Sequence, residues 1–401
     1  MVEVIGKHKR EPLLHISKRT DIQKWKAWLI RIGIGIIALF ACAIVSAFFT
    51  KDFGGFFSSL FSGVFGTERR MVRLIKDIAI LLCIALAITP AFKMKFWNIG
   101  AEGQTLMGCL MSVLCVQYIG KDLPNGALLV LMFIAAMLGG AVWAVIPAIF
   151  KAKWNTNETL FTLMMNYVAM QLTSFCINSW DKTGHAVYGS LTNGIFPEIG
   201  GNQYVINIII AVIMTIAVFI YLRFSKQGYE LSVVGESINT AKYIGINVKK
   251  VIIRTMLISG ALCGIVGIMI VSGDARTITP SVISGRGFTA ILVSWLAHFS
   301  PIGMVLTSFL VIFFKQGAGQ IATDFDLGSS AFSDVIVGVF LFFIIASEFF
   351  INYKIIFNKS HKDLNKTHIG VETEAIKDAI ESTEICDENS LKFNNTEEEI
   401  G

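Results

Sequence analysis

The chain has 401 residues, of which 54% are hydrophobic and only 16% are charged, whereas soluble proteins carry about 25% charged residues. Because the charges are concentrated at the two ends and between long apolar runs, the composition argues against a soluble fold. For the same reason the formal net charge of +5 is not a nucleic-acid signal.

A helix needs about 20 apolar residues to cross the apolar core of a bilayer, which is about 30 Å thick. The first run has full spanning length and a long charged lead, so it is predicted to be a retained helix rather than a signal peptide. Pro147 interrupts the fourth run, and Ser300-Pro301 is either a tight turn or a kink between the eighth and ninth. The sequence thus predicts an all-α polytopic membrane protein with about ten transmembrane helices. The predicted spans are 29–49, 71–92, 98–119, 127–150, 158–178, 205–222, 251–271, 286–300, 302–320 and 333–353.

The distribution of lysine and arginine predicts the orientation, because loops that face the cytoplasm are enriched in these residues. With ten helices, the bias places both termini in the cytoplasm of a multi-pass cell-membrane protein. Residues 1–28 are predicted to be a basic cytoplasmic segment that contacts anionic lipid, and residues 29–353 the transmembrane domain. Residues 354–401 are predicted to be an acidic cytoplasmic tail, disordered or loosely helical.

The first polar interruption lies at Phe96–Gln104, where the third run begins. Its two glycines, one acid and two amides are costly in lipid unless they face protein or a water-filled path. The amides of Asn98 and Gln104, with the free N–H groups of a helix start, are suited to binding a polar solute. The alternative is structural: Glu102 favours the helix dipole at a solvated edge, and the glycines allow close packing.

The second interruption, Ser284–Ala290, opens the eighth run and contains two further path candidates, Arg286 and Phe288. Helices two to five and seven to ten form two sets of four, and in each set the second helix starts with such a break. A Pro-x-Gly follows each break, at Pro124 and at Pro301. Paired breaks in two inverted halves indicate a transport path, although the similarity between the halves is slight enough to arise by chance.

The third feature is the interval Arg223–Lys250, the longest loop predicted to face the cytoplasm. Ser237 is a favourable N-cap and Gly245 a favourable residue after the C-cap, so a two-turn helix is predicted between them. So short a helix is marginal alone and needs support from the bundle or from a partner. The alternative is a solvated connector.

The fifth run opens with Asn155 and, three residues later, Glu158, a spacing that resembles a capping box. Asn166 falls about two turns inside the same helix, where its amide needs a hydrogen-bond partner. Asn166 is therefore a further candidate for the path.

Together these segments resemble the permease subunits of nucleoside importers, within a larger family that also transports ribose and branched-chain amino acids. The resemblance covers about residues 70–350, and its most specific element, Asn98–Gln104, indicates the nucleoside branch. The matching residues are Asn98-Ile99-Gly100, Glu102-Gly103-Gln104, Asn157-Glu158, Asn166-Tyr167, Gly235, Asn239, Ala241, Tyr243-Ile244-Gly245-Ile246 and Gly285-Arg286-Gly287-Phe288. The sequence departs from the family at Lys242, where a small residue is usual beside Ala241. It also departs at Trp295, Ala297 and His298, where a smaller, glycine-containing stretch is expected.

The resemblance implies a type II ABC importer permease that translocates a nucleoside, with a purine as the expected base. Such a subunit pairs with a second homologous permease and receives solute from an extracytoplasmic solute-binding lipoprotein. It docks an ATP-binding subunit, which holds ATP and magnesium, through a cytoplasmic loop. The residues that correspond to that loop are Gly235, Ser237, Asn239, Ala241, Tyr243 and Gly245.

The chain is expected to be a transport subunit and not an enzyme, because it has no G-x-x-x-x-G-K-[ST] phosphate loop. No metal-binding spacing occurs, His298 is isolated, and six of the seven cysteines lie in or beside apolar runs. The alternatives are an ABC permease for a simple sugar such as ribose and an ion-coupled secondary transporter. The latter needs ionisable residues deep in the bundle, and the candidates lie near predicted helix ends: Glu102, Lys315, Asp334 and Glu348.

Overall fold

A computed structural model of the protein describes residues 14–18, 23–120, 122–180, 187–327 and 330–357. The chain divides into two compact units, one formed by Ala38–Phe342 and the other by Met1–Ile37 with Phe343–Gly401. In chain order, the described elements are β1 Leu14–Lys18, α1 Lys24–Thr50, α2 Phe53–Phe65, α3 Glu68–Lys93, α4 Ala101–Ile119, α5 Asn125–Trp154, α6 Glu158–Trp180, α7 Val205–Phe224, α8 Lys226–Glu236, α9 Ile238–Tyr243, α10 Val248–Ile268, a π-helical segment Met269–Ala275, α11 Arg286–Leu296, α12 Pro301–Asp324, α13 Ser330–Asn352 and β2 Tyr353–Phe357.

Seven helices in the described ranges are long and apolar enough to cross a membrane, which confirms the helical multi-pass prediction. They are α1 from Leu29, α5, α6, α7, α10 with the π-helical segment, α12 and α13 from Ala331. The count of ten is not confirmed. The predicted eighth span, 286–300, is the 11-residue helix α11, and a rise of about 1.5 Å per residue makes it too short to cross the bilayer core.

Other helix boundaries differ from the predicted runs for local reasons. The third run begins as a helix only at Ala101, and helix α5 continues through Pro147 to Trp154. The short apolar helix α2 was not predicted; Asp52 caps it by accepting a 2.9 Å hydrogen bond from the N–H of Gly55. Ser300-Pro301 separates α11 from α12, so it is a turn and not a kink within one longer helix.

The predicted capping box at the start of α6 is wrong. Asn155 instead ends α5 in the left-handed conformation, with φ +52°. Asn157 caps α6, because its side chain accepts a 3.1 Å hydrogen bond from the N–H of Leu160. Glu158 forms an ion pair of 2.8 Å with Lys151, so its carboxylate connects the end of α5 to the start of α6.

The unit formed by the chain ends contains an antiparallel strand pair in which Leu14 lies opposite Phe357. Arg31 and Glu348 form an ion pair of 2.9 Å in the same unit. The predicted basic segment 1–28 therefore includes β1 and the first turn of α1. Residues 354–357 of the predicted acidic tail 354–401 belong to β2, so this part is not disordered. The rest of the tail lies outside the described residues, and its disorder stays a prediction.

In the other unit, helices α4, α5 and α10 pack backbone against backbone at small residues. A Cβ added at Gly140 would lie 2.2 Å from the carbonyl oxygen of Gly260, and one added at Gly108 would lie 2.7 Å from the Cα of Gly264. Small residues allow membrane helices to approach closely, where van der Waals contacts replace the hydrophobic effect as the driving force. This three-helix packing fixes the position of α4.

Candidate functional site

The two predicted polar interruptions meet at the side chain of Glu102. Its carboxylate oxygens accept hydrogen bonds from the backbone N–H groups of Gly285, at 2.8 Å, and Gly287, at 2.7 Å. These N–H groups belong to the N-cap and the second residue of α11, which have no partner inside the helix. Glu102 thus caps α11 and adds a negative charge at the positive end of its dipole. We call this contact the Glu102 junction.

The burial of Glu102 tests the alternative that this carboxylate lies at a solvated helix edge. Its residue exposure is only 3%, so the alternative of a solvated helix edge is wrong. Gly287 is required at the contact, because a Cβ added there would lie 2.6 Å from the Oε2 atom of Glu102. Gly285 adopts the left-handed conformation, with φ +72°, which favours glycine.

The turn that precedes α4 is held by a reciprocal pair of buried amides. The Asn98 side chain donates to the Gln104 side chain at 3.2 Å, and Gln104 donates back to Asn98 at 3.0 Å. The N–H of Gly100 also donates to Asn98, at 3.0 Å. The two amides predicted to line a path therefore satisfy each other and fix the turn.

Helix α6 supports the same turn from the other side. The buried Asn166 accepts a 2.8 Å hydrogen bond from the N–H of Gly103 and donates one of 2.9 Å to the carbonyl of Ile99. The hydroxyl of Thr162 accepts from the N–H of Ile99 at 3.1 Å. The partner that Asn166 was predicted to need is thus the backbone of the first polar interruption.

A cluster of four charges lies beside the Glu102 junction and connects α3, the π-helical segment and α11. Lys76 contacts Asp274 at 2.6 Å and Asp77 at 3.2 Å, and Arg286 contacts Asp77 at 3.1 Å and Asp274 at 3.4 Å. Two cations and two anions make the cluster neutral, which lowers the cost of charges away from water. We call Lys76, Asp77, Asp274 and Arg286 the charge cluster.

Three members of the charge cluster were missed in the sequence. Lys76 and Asp77 are adjacent within the second apolar run, and Asp274 lies three residues after the seventh run. The signal was available, because ionisable residues inside a spanning segment indicate a functional site and a partner.

The last of the six path candidates, Phe288, is 42% exposed, whereas four others are buried and Arg286 is partly buried. The structure therefore brings Asn98, Glu102, Gln104, Asn166 and Arg286 into one connected group through the starts of α4 and α11.

A polar cavity of about 320 Å³ lies beside this group, between α2, α3, α11 and α12. Its lining includes the cluster residues Asp77 and Arg286 and three further cations, Arg70, Arg73 and Lys315. Small-molecule pockets run from about 300 to 1,000 Å³, so this cavity matches a small ligand or part of a larger one. We call it the basic cavity.

The predicted short helix on the loop Arg223–Lys250 is confirmed as α9. Ser237 caps it by accepting a 3.2 Å hydrogen bond from the N–H of Thr240, and Gly245 follows it with φ +83°. Ala241 is buried. The preceding helix α8, which was not predicted, packs so closely on the end of α3 that a Cβ added at Gly235 would lie 2.2 Å from the carbonyl oxygen of Lys93.

The outer face of α9 carries large apolar side chains in an otherwise polar segment. Tyr243 is 93% exposed, and Ile238 and Ile244 are each about half exposed. Asn239 and Lys242 are also exposed. Three large exposed apolar side chains within seven residues, bordered by polar ones, are typical of a protein-binding surface.

Comparison with known proteins gives a consistent result. Residues 70–345 match the profile of the family described as branched-chain amino acid transport system / permease component. The guanosine ABC transporter permease protein of Bacillus subtilis is 30% identical over 80% of this chain and 92% of its own length. The glucose ABC transporter permease protein of Haloferax volcanii is 27% identical over 85% and 93%. The nucleoside ABC transporter permease protein of Lactococcus lactis is 28% identical over 71% and 82%. No solved structure matches the chain.

Proposed function

Because this chain belongs to the branched-chain amino acid transport system permease family, we propose that it is the permease subunit of an ABC importer that translocates a nucleoside, with a purine as the expected base. The observation that supports a nucleoside as the solute is the 30% identity to a guanosine permease over 80% of the chain. It agrees with the Asn98–Gln104 element, which resembles the nucleoside branch.

The proposed mechanism is alternating access driven by a separate ATP-binding subunit. That subunit would hold ATP and magnesium and dock on the exposed face of α9. The contact of Gly235 with Lys93 supports a physical connection, because Lys93 ends α3 five residues before Asn98. A shift of α8 and α9 would therefore act on the turn that Asn98, Gln104 and Asn166 hold in place.

The remaining partners follow from the same proposal. A second homologous permease would complete the pore, and an extracytoplasmic solute-binding lipoprotein would deliver the nucleoside. The chain would lie in the cell membrane with both termini in the cytoplasm. The lysine and arginine distribution supports this orientation.

A specific observation favours simple sugars as the second candidate solute. The glucose permease of Haloferax volcanii matches 85% of this chain at 27% identity, so sequence similarity alone does not separate sugar permeases from nucleoside permeases. An ion-coupled transporter needs ionisable residues inside the bundle, and the charge cluster contains such residues. Membership of an ABC permease family nevertheless supports ATP as the energy source.

Uptake by whole cells tests the solute. Cells that express the chain with its partner subunits should take up labelled guanosine, and unlabelled nucleosides should compete while glucose and ribose should not. Replacing the ATP-binding subunit with an ATPase-dead variant should abolish uptake. Competition by glucose alone would show that the solute is a sugar and not a nucleoside. Uptake that persists with the ATPase-dead subunit but is abolished by an ionophore would contradict ATP-driven import.

A further inference from the structure

The cationic side chains that line the basic cavity outnumber the acidic side chains that could neutralise them. Arg70, Arg73, Arg286 and Lys315 line it, and the only acid among its lining residues is Asp77. Asp77 already contacts Lys76 and Arg286 within the neutral charge cluster. Three cations therefore remain outside the cluster.

The carboxylate of Glu102 offsets at most one of these three charges. Both of its oxygens already accept hydrogen bonds from α11, and one carboxylate carries at most one negative charge. Within the described part of the chain, neither Arg73 nor Lys315 forms an ion pair, and Arg70 donates to the backbone carbonyl of Ser62 at 2.8 Å. Three positive charges against one negative charge leave a surplus of two.

A surplus of positive charge in a partly enclosed cavity favours an anionic ligand. Guanidinium groups bind phosphate and carboxylate oxygens through paired, charge-assisted hydrogen bonds. The carboxylate of Glu102 already accepts hydrogen bonds from α11. Arg70 and Arg73, on successive turns of α3, and Lys315 of α12 therefore have N–H donors available for an anion.

The remaining polar lining is also suited to a phosphate group. Thr289 and Gln320 contribute further polar side chains to the wall. A phosphate group presents three or four acceptor oxygens and can engage two arginines and a lysine at once, whereas a carboxylate has only two oxygens.

We propose that the basic cavity binds the phosphate group of a phosphate-bearing small molecule or of an anionic phospholipid headgroup, with Arg70, Arg73 and Lys315 as the principal ligands. This site is additional to the proposed nucleoside transport and does not depend on the identity of the solute. The two sources share one chemistry and are separated by the experiment.

Binding is measured with the full chain in nanodiscs of phosphatidylcholine, titrated with inorganic phosphate and with guanosine monophosphate by calorimetry. In a second arm, phosphatidylglycerol is included and its retention on the protein is measured by native mass spectrometry. Binding of inorganic phosphate, or binding of guanosine monophosphate that excess guanosine does not displace, identifies a small phosphate ligand. Selective retention of phosphatidylglycerol, with no soluble binding, identifies a lipid headgroup.

Variants distinguish the cavity from general attraction to a basic surface. Arg73→Gln and Lys315→Gln should each weaken binding about tenfold, as expected for the loss of one charge-assisted contact. Lys315→Arg keeps the charge and should retain most of the affinity. The matched control is Arg69→Gln, because Arg69 is exposed on the same helix and does not line the cavity.

Two results would overturn the site. One is the absence of binding by both soluble probes together with no selective lipid retention. The other is equal weakening by Arg69→Gln and Arg73→Gln. Guanosine uptake by cells expressing the unmodified chain is measured separately, so failure of the phosphate site and failure of nucleoside transport give different results.

Discussion

The carboxylate of Glu102 and the backbone N–H of Gly287 are 2.7 Å apart, although 185 residues separate them in the chain. The contact joins the start of α4 to the start of α11, so the polar breaks of the two predicted halves form one structural unit. Helix starts inside a membrane protein need partners for their free N–H groups, and here one half supplies that partner to the other.

The Glu102 junction predicts a specific effect on stability. Glu102→Ala leaves the N–H groups of Gly285 and Gly287 without an acceptor, and each buried unsatisfied donor costs about 1–3 kcal/mol. Glu102→Gln keeps one side-chain acceptor and should lose less. Thermal unfolding of the purified chain in detergent measures both, and equal stability of the alanine variant and the unmodified chain would contradict the junction.

Close approach at Gly287 predicts that even a methyl group is not tolerated there. The Cβ of Gly287→Ala would lie 2.6 Å from the Oε2 atom of Glu102 and 2.7 Å from its backbone nitrogen. Overpacking of this kind costs about 1–3 kcal/mol. The control is Gly126→Ala, where an added Cβ meets nothing within 4 Å. Unfolding temperatures should fall only for the Gly287 variant.

The charge cluster predicts coupling between Arg286 and Asp77. Removing one partner of a buried pair costs about 3–5 kcal/mol, and the 20% side-chain exposure of both residues reduces this to about 1–3 kcal/mol. Arg286→Gln should therefore destabilise the chain, and adding Asp77→Asn should recover part of the loss. A double-mutant cycle measures the coupling; strictly additive losses would show that the two side chains do not interact.

The exposed face of α9 predicts the surface that holds the ATP-binding subunit. Tyr243→Ala should leave the stability of the permease unchanged, because the side chain is 93% exposed. It should weaken association about tenfold or more if the tyrosine anchors the interface. Co-purification measures this, with Phe175→Ala as the control, since Phe175 is a large aromatic residue that is 71% exposed in the last two turns of α6. Equal retention of the subunit by both variants would exclude Tyr243 as an anchor.

Local signals were sufficient to predict some elements and insufficient for others. The helix α9 was predictable because Ser237 and Gly245 determine its ends through contacts within a few residues. The cap of α6 was assigned to Asn155 rather than Asn157 because both residues suit the position, and only the backbone conformation separates them. The length of α11 was not predictable, because the helix ends where His298 and Phe299 adopt positive φ, whereas the first helix-breaking residue that follows in the sequence is Pro301.

The site itself depended on contacts between distant segments. The sequence predicted that Glu102, Asn98, Gln104, Asn166 and Arg286 were unusual in a membrane helix, since each is costly in lipid. Their partners could not be predicted, because they come from helices far apart in the chain. Lys76, Asp77 and Asp274 were missed for a different reason. Lys76 and Asp77 lie in the first two turns of the second apolar run, and Asp274 lies three residues after the seventh, and charged side chains at such positions can reach the membrane surface.

The most direct test of the account is ATP-dependent uptake of labelled guanosine into proteoliposomes that contain the complete transporter. The complex with the unmodified chain should accumulate guanosine when ATP is supplied to the ATP-binding subunit, and Glu102→Ala should lower the rate at least about tenfold at equal protein incorporation. Guanosine uptake that does not require ATP, or that is unchanged by Glu102→Ala, would contradict it.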